Sequence, residues 1–226
     1  MNKIIIITIR WLFGCLIFFI AGCENKPGYK TFVPTKEDSL LQIAIATRAY
    51  QQIAAIKNSI QTGDLITRTG NDFTSQSLRS LNQRDKTYSH CGIASIEHDS
   101  VFVYHALGGD FNPDQKIRRD AIEDFAEPYS NKGIGIFRFS VADSTRQHFA
   151  STAREFFKQG IMFDMDFDLR TDDRMYCAEF VYKSFENASR HTLTFPHSHI
   201  KLFEFIGVDD IFLHPLCKLQ AQLVYK

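Results

Sequence analysis

The stretch from Met175 to Val181, with the sequence MYCAEFV, constrains the fold most because it predicts a helix that begins at a cysteine. From this cysteine onward, apolar and small residues recur at the spacing of one helix face. They are Cys177, Phe180, Val181, Ser184 and Phe185. The spacing i, i+3, i+4, i+7, i+8 is typical of a helix with one side against a core. Asp172 and Asp173 come just before it and are candidates to cap its first turn.

The position of Cys177 at the start of this helix has a chemical consequence. Unpaired backbone N–H groups and the positive end of the helix dipole both favour the thiolate over the thiol, and the thiolate is the nucleophile. The alternative interpretation is a small buried hydrophobe, since free cysteine is among the most buried residue types. A nearby base would favour the catalytic interpretation.

Two histidines upstream are candidate bases on one predicted β-hairpin. Two strand-like segments flank a polar turn around His98 and Asp99. If this turn is a two-residue loop, Gly92 lies opposite His105. His90 then shares a face with His105, roughly 7–8 Å away along the diagonal. A loop one residue longer or shorter would break this parity. Two imidazoles on one face and a cysteine at a helix start favour Cys–His chemistry, in which a third group orients the base.

Ordered motifs extend along most of the chain. They are Gly63–Ile66 (GDLI), Tyr88–Ile93 (YSHCGI), Phe163–Phe167 (FDMDF), Tyr176–Val181 (YCAEFV) and a closing segment from Val208 to Pro215. Together they resemble the YiiX-like, circularly permuted papain-like amidases of the NlpC-type cell-wall peptidase superfamily. In unpermuted papain-like enzymes the cysteine helix precedes the histidine strand, whereas here the histidines come first. The resemblance implies an α+β, papain-like fold in circularly permuted order, with an antiparallel sheet packed on helices.

The resemblance also implies roles for single residues. Cys177 would be the nucleophile, His90 the base and His105 the third polar residue. A glutamate is expected at the position of His105 in many relatives of this branch, whereas histidine is frequent in the unpermuted peptidases. Ala178 stands where the family has serine, and Phe180 where it has leucine.

The expected activity is hydrolysis of an amide bond, with no cofactor and no metal. The substrate would be a peptide, a cell-wall stem peptide or an N-acyl amide. Two alternatives stay open. One is a lipid-directed acyltransferase or esterase, since some permuted relatives act on lipid esters or acyl groups. The other is a non-catalytic, ligand-binding lipoprotein of the same fold.

The N-terminus predicts a lipoprotein signal peptide. An apolar run from Ile4 to Ile20 follows Lys3, is interrupted by Arg10, and leads into Ala-Gly-Cys, which is similar to a bacterial lipobox. The run is shorter than the roughly 20 apolar residues of a spanning helix. We expect cleavage before Cys23, lipid on Cys23, and a protein anchored to a membrane of the bacterial cell envelope. An uncleaved anchor and an ordinary signal peptide are the alternatives.

The length and charge of the chain limit the number of domains and the classes of partner. A chain of 226 residues allows one or at most two domains. We divide it into the signal peptide (1–22), the lipidated cysteine and tether (23–34), and the hydrolase domain (35–226). Its 26 basic and 26 acidic side chains form no basic patch, which argues against a nucleic-acid partner. The expected partners are the membrane and an amide substrate.

Three other groupings contain residue types found at metal or disulfide sites. Aspartates 164, 166 and 168 have the spacing of a calcium loop but lack its glycine and its final glutamate, so we interpret them as loop acids. His197 and His199 have no third ligand at a fixed spacing, which argues against zinc. Cys91 should point away from the face of His90. A disulfide between Cys91 and Cys217 stays open in an exported protein.

Overall fold

The computed structural model describes residues 34–109 and 111–226. The helices are α1 (Lys36–Lys57), α2 (Phe73–Leu81), α3 (Ile122–Phe125), α4 (Asp143–Gln159), α5 (Cys177–Ala188) and α6 (Val208–Phe212). The strands are β1 (Leu65–Gly70), β2 (His90–Glu97), β3 (Ser100–His105), β4 (Arg118–Ala121), β5 (Asn131–Phe139), β6 (Ser198–Ile200), β7 (Phe203–Phe205) and β8 (Cys217–Val224). The predicted signal peptide, residues 1–22, and the predicted lipidation site Cys23 lie outside the described residues. Within the described ranges, no helix has the length and apolar character needed to cross a membrane.

A six-stranded sheet organises the fold, in the order β4-β3-β2-β1-β5-β8. Every neighbouring pair in it is antiparallel. Strands β6 and β7 form a separate two-stranded sheet. The predicted α+β class with an antiparallel sheet packed on helices is confirmed.

The two faces of the sheet are covered by different helices, because side chains alternate along each strand. On one face, Phe149 of α4 and Phe180 of α5 belong to a buried cluster with Ile93 of β2. On the other face, Phe125 of α3 packs in a cluster with Ile66 of β1. Of the active-site candidates, His90 and His105 lie on strands of this sheet, and Cys177 begins helix α5.

The hairpin of β2 and β3 has the predicted register. His98 and Asp99 form its two-residue loop with φ angles of 48° and 62°, as a type I′ turn requires. Pairing runs from Glu97 with Ser100 to Ile93 with Tyr104. This parity places His90 and His105 on the same face, as the loop length predicted.

The start of α5 differs from the prediction in its cap. The backbone N–H of Tyr176 donates to Oε2 of Glu179 at 3.2 Å, so a glutamate inside the helix closes its first turn. Asp172 instead accepts from Lys183 Nζ at 2.7 Å, and the same Nζ lies 2.9 Å from Oε1 of Glu179. The prediction that Asp172 or Asp173 caps α5 is therefore wrong. The predicted first helical residue, Cys177, is correct.

The groupings weighed as metal sites have structural partners. Asp164 is buried and accepts the backbone N–H groups of Asp166 at 2.8 Å and Asp168 at 2.6 Å, which holds the loop before α5. His197 Nδ1 lies 2.7 Å from Glu204. Among the residues of the two described ranges, no three or more histidine, cysteine, aspartate or glutamate side chains are grouped to hold a metal ion.

Candidate active site

His90 and His105 form a direct hydrogen bond in the interior of the protein. His90 begins β2, His105 ends β3, and both are buried. His90 Nε2 lies 2.8 Å from His105 Nδ1. Gly92 permits this approach, because a Cβ at its position would lie only 2.9 Å from Cβ of His105. The predicted pairing of the two imidazoles on one face is thus present in the fold.

A carboxylate that the sequence analysis missed extends this pair. Asp120 lies on β4, and its Oδ2 is 3.0 Å from His105 Nε2. Arg118, directly across from His105 in the β3–β4 register, holds the same oxygen at 2.8 Å. The sequence of β4, RRDA, has no alternation of apolar and polar residues that would have predicted a strand. The long loop after β3 hid its pairing with the hairpin.

This line of contacts determines where the protons lie. A carboxylate accepts, so Nε2 of His105 must donate to Asp120. Nδ1 of a neutral His105 then accepts, and Nε2 of His90 must donate to it. Nδ1 of neutral His90 is left without a proton, which is the form that a general base needs. Asp120 therefore orients both rings through one chain of hydrogen bonds.

Burial keeps both rings neutral near pH 7. It lowers the pKa of His90 well below the ordinary value, and the charges of Arg68, His105 and Arg118 lower that pKa further. Burial also lowers the pKa of His105 to about 4, against the opposing effect of Asp120. Although burial raises the pKa of Asp120, its contacts with His105 and Arg118 hold that pKa below the ordinary value. Asp120 is thus an anion at the end of two neutral imidazoles.

Cys177 lies at the N-terminus of α5, beside the strand that carries His90. The residue is 8% exposed. Cys91 Sγ donates to the backbone O of Cys177 at 3.6 Å, and Cys91 directly follows His90 in β2. Within the described ranges the thiol makes no hydrogen bond to His90. Such bonds are often long in free enzymes and tighten when substrate is bound. His90 and His105 are thus in direct contact, and Cys177 lies against Cys91, the residue that follows His90.

The surroundings of Cys177 favour its thiolate. The neighbouring Cys91 thiol does most to lower the pKa of Cys177, and this outweighs the burial that raises it. The backbone N–H groups of Cys91 and Ala178 and the guanidinium of Arg68 lower that pKa further. By contrast, burial raises the pKa of Cys217 to about 12. All three described cysteines are free thiols, and Cys91 contacts Cys177. Of the three, Cys177 is the one whose pKa is lowered, while the pKa values of Cys91 and Cys217 are raised.

A cavity of about 650 Å³ opens beside His90. One part of its wall is polar and includes Arg68, His90 and Asp120. Another part is apolar; its residues are Leu78, Leu107, Phe111, Phe163, Met165 and Phe167. A substrate in this cavity would meet an apolar surface and a charged one within reach of the predicted base.

The chain is similar to known proteins in sequence and in fold. The protein YiiX of Escherichia coli (strain K12), described as uncharacterised, is 27% identical over 131 residues, which are 57% of this chain and 58% of that protein. The chain thus matches less than two thirds of that relative's length. A crystal structure described as metalloprotein YiiX from Escherichia coli O157:H7 has a TM-score of 0.60 and 19% identity, and the match covers 73% of this chain and 98% of that one. At that identity the likeness concerns the fold alone.

The family assignment rests on the central part of the chain. Residues 59–201 match the permuted papain-like amidase enzymes of the YaeF/YiiX, C92 family. This range is more than half of the sequence and contains Cys177, His90, His105 and Asp120. The histidine strands precede the cysteine helix, as circular permutation requires. The chain therefore belongs to the permuted papain-like amidase family YaeF/YiiX, C92.

Proposed function

We propose that this protein is a cysteine amidase of the cell envelope, with Cys177 as nucleophile and His90 as general base. One observation carries the proposal: the contacts from His90 to His105 to Asp120 leave Nδ1 of His90 ready to accept a proton. Membership of an amidase family supports the reaction class. The geometry supports the identity of the residues.

The reaction proceeds in two halves. His90 takes the thiol proton, and Sγ of Cys177 attacks the amide carbonyl carbon. The backbone N–H of Cys177, in the first helical turn where N–H groups lack partners within the helix, stabilises the oxyanion. His90 then returns the proton to the leaving amine as the C–N bond breaks, which leaves a thioester. Water, deprotonated by His90, attacks the thioester, and the acid and the thiol are released.

His105 and Asp120 act by positioning in this scheme. During each half-reaction His90 is an imidazolium, which donates from Nε2 to His105. The Asp120 carboxylate stabilises this charge through the second ring, as the acid of a catalytic triad does through one ring. A histidine and an aspartate in series thus fill the place where a glutamate is expected in many relatives of this branch.

Mass spectrometry tests the proposal. The wild-type protein is incubated with cell-envelope extract and quenched in acid, beside Cys177→Ala and the matched control Cys217→Ala. We expect an acyl mass on the peptide that contains Cys177 in the wild type and in Cys217→Ala, together with a released amine. Failure to acylate Cys177, or equal acylation of Cys91, would overturn the assignment.

A second candidate function is lipid-directed acyl transfer or ester hydrolysis. The apolar part of the cavity wall favours it. In that wall Phe111 is fully exposed and Met165 is 38% exposed, so an acyl chain could bury apolar surface against them. The same experiment separates the two. A long-chain acyl mass on Cys177 with a lipid alcohol released would favour the second candidate, whereas a peptide acyl group with a released amine would favour the first.

We further propose that the protein is held at the membrane by lipid on Cys23. The support is the apolar run that ends in Ala-Gly-Cys. A lipid-modified residue 23 would leave the twelve residues 24–35 as a tether before α1. The hydrolase domain would then act within a short distance of the bilayer, which suits either candidate substrate.

A further inference from the structure

Arg68 is a cation in the wall of the cavity, next to the predicted base. It lies on β1 directly across from His90 in the β1–β2 register, so both side chains share one face. Its guanidinium lies over the ring of Phe125 at 4.7 Å, and Nη1 donates to the carbonyl of Phe125 at 2.9 Å. A guanidinium has five N–H donors in all. The remaining donors of Arg68 have no hydrogen-bond partner among the described residues.

No carboxylate neutralises Arg68 by contact within the described part of the chain. Arg118, in the same wall, differs, because its charge is matched by Asp120 at 2.8 Å. Burial lowers the pKa of Arg68, which reflects the free energy of taking its charge out of water. Arg68 is partly exposed, and Asp120 and Glu127 act on its charge only from a distance, so its unused N–H donors are open to a further partner.

The other carboxylates of the cavity wall have their own contacts. Asp72 accepts from the backbone N–H of Ser75 at 2.9 Å as the N-cap of α2. Glu127 accepts from the backbone N–H and the hydroxyl of Ser130 at 2.8 and 2.7 Å. Asp124 is exposed and forms no ion pair with Arg68 in the described ranges. Arg68 is therefore a cation of this wall with N–H donors that no described residue uses.

We propose that Arg68 binds an oxyanion of the substrate, a carboxylate or a phosphate, close to the bond that Cys177 cleaves. This inference rests on the proposed function and narrows its substrate class to anionic molecules. The apolar wall adds an apolar portion, so the substrate is an amphipathic anion. An N-acylated molecule with a carboxylate near its amide fits this description, and so does an acyl group near a phosphate.

Alkylation of Cys177 by a charge-matched pair of reagents tests the anion site without turnover. Iodoacetate is an anion, and iodoacetamide is its neutral analogue of nearly the same shape. The ratio of their rate constants cancels the fraction of thiolate, which Arg68 also influences. We expect Arg68→Gln to lower this ratio about tenfold, the scale of one charge pair at intermediate dielectric. Arg68→Lys should keep part of the ratio, and the control Arg154→Gln on α4 should leave it unchanged.

Thermal unfolding with small ligands provides a second measurement that does not depend on the thiol. Hippurate and phenyl phosphate are anions, and hippuramide is neutral. A ligand that binds only the folded state raises the Tm. We expect one or both anions, but not hippuramide, to raise the Tm of wild type, and this shift to disappear in Arg68→Gln. The anion with the larger shift indicates a carboxylate or a phosphate substrate.

The outcomes separate this inference from the proposed function. An iodoacetate preference that persists in Arg68→Gln would overturn the anion site while leaving the nucleophile intact. Tm shifts with hippurate or phenyl phosphate that persist in Arg68→Gln would do the same. Slow, unselective alkylation of Cys177 by both reagents would overturn the proposed function. Should Arg68→Gln fail to fold, Arg68→Lys and the wild-type ligand series decide: equal Tm shifts with hippurate and hippuramide would reject the anion site.

Discussion

Oδ2 of Asp120 lies 3.0 Å from Nε2 of His105, and this single contact sets the tautomers of two histidines. We predict that Asp120→Ala lowers the rate of Cys177 alkylation below neutral pH and shifts its pH profile upward, because the imidazolium of His90 loses the distant anion that stabilises it. A loss of activity of about 10²-fold is expected from the scale of one positioned acid–base contribution. Alkylation rates against pH measure the shift. Asp124→Asn, in the same cavity wall, is the control, and an unchanged profile in Asp120→Ala would reject the relay.

Replacing His90 should lower the activity more than replacing His105. His90→Ala should abolish nearly all activity, and His105→Ala should lose about 10²–10⁴-fold, since His105 acts through His90. We predict that His105→Glu keeps measurable activity, and that adding Asp120→Asn raises it. In His105→Glu the new carboxylate would lie near that of Asp120, and the two like charges would repel. Asp120→Asn removes this repulsion. Steady-state rates of the single and double variants test this, and a double variant less active than His105→Glu would contradict it.

Cys91 should tune the nucleophile, because its side chain lies against Cys177. Cys91→Ala removes the thiol that does most to lower the pKa of Cys177, so this pKa should rise and the alkylation profile should shift to higher pH. Cys91→Ser keeps a donor and should shift it less. Cys217→Ala, remote from this contact, is the control. Identical profiles for Cys91→Ala and Cys91→Ser would show that only packing matters at this position.

Stability should fall in mild acid because of His105. Its pKa is lowered from the ordinary value of 6.5 to about 4 in the fold. As the pH falls from 6.5 to about 4, the unfolded chain takes up a proton that the folded protein does not hold. The free energy of unfolding therefore decreases through this window, by at most on the order of 3 kcal/mol. Denaturant unfolding between pH 7 and pH 4 should show a smaller decrease for His105→Gln than for the wild type. His148→Gln, exposed on α4, should behave as the wild type, and a wild-type slope in His105→Gln would refute the assignment.

Membrane attachment should depend on Cys23. We predict that Cys23→Ser releases the protein into the soluble fraction, because two or three acyl chains anchor a protein firmly and their removal leaves no comparable attachment. Fractionation and intact-mass measurement of the mature N-terminus test this. A Cys23→Ser protein that stays in the membrane with residues 1–22 intact would indicate an uncleaved anchor.

Local patterns were enough to predict several elements. The spacing of apolar residues after Cys177 predicted helix α5 and its first residue. The turn at His98 and Asp99 fixed the hairpin parity, because a period of two leaves only two choices of face. The prediction for the cap of α5 was wrong, because Glu179 reaches back to the backbone N–H of Tyr176 while Asp172 is held by Lys183, and sequence spacing does not show which acid does which.

By itself, the sequence determined which residues share a helix face or a hairpin face, and so it named Cys177, His90 and His105. These relationships are local and follow from backbone periodicity. Only the tertiary structure places Asp120 against His105 and Arg68 across from His90. Each comes from another strand, and the pairing of that strand depends on the packing of the whole sheet. It also decided the protonation of both rings and the placement of an unneutralised cation in the cavity. These properties depend on burial and on long-range contacts, which no sequence spacing specifies.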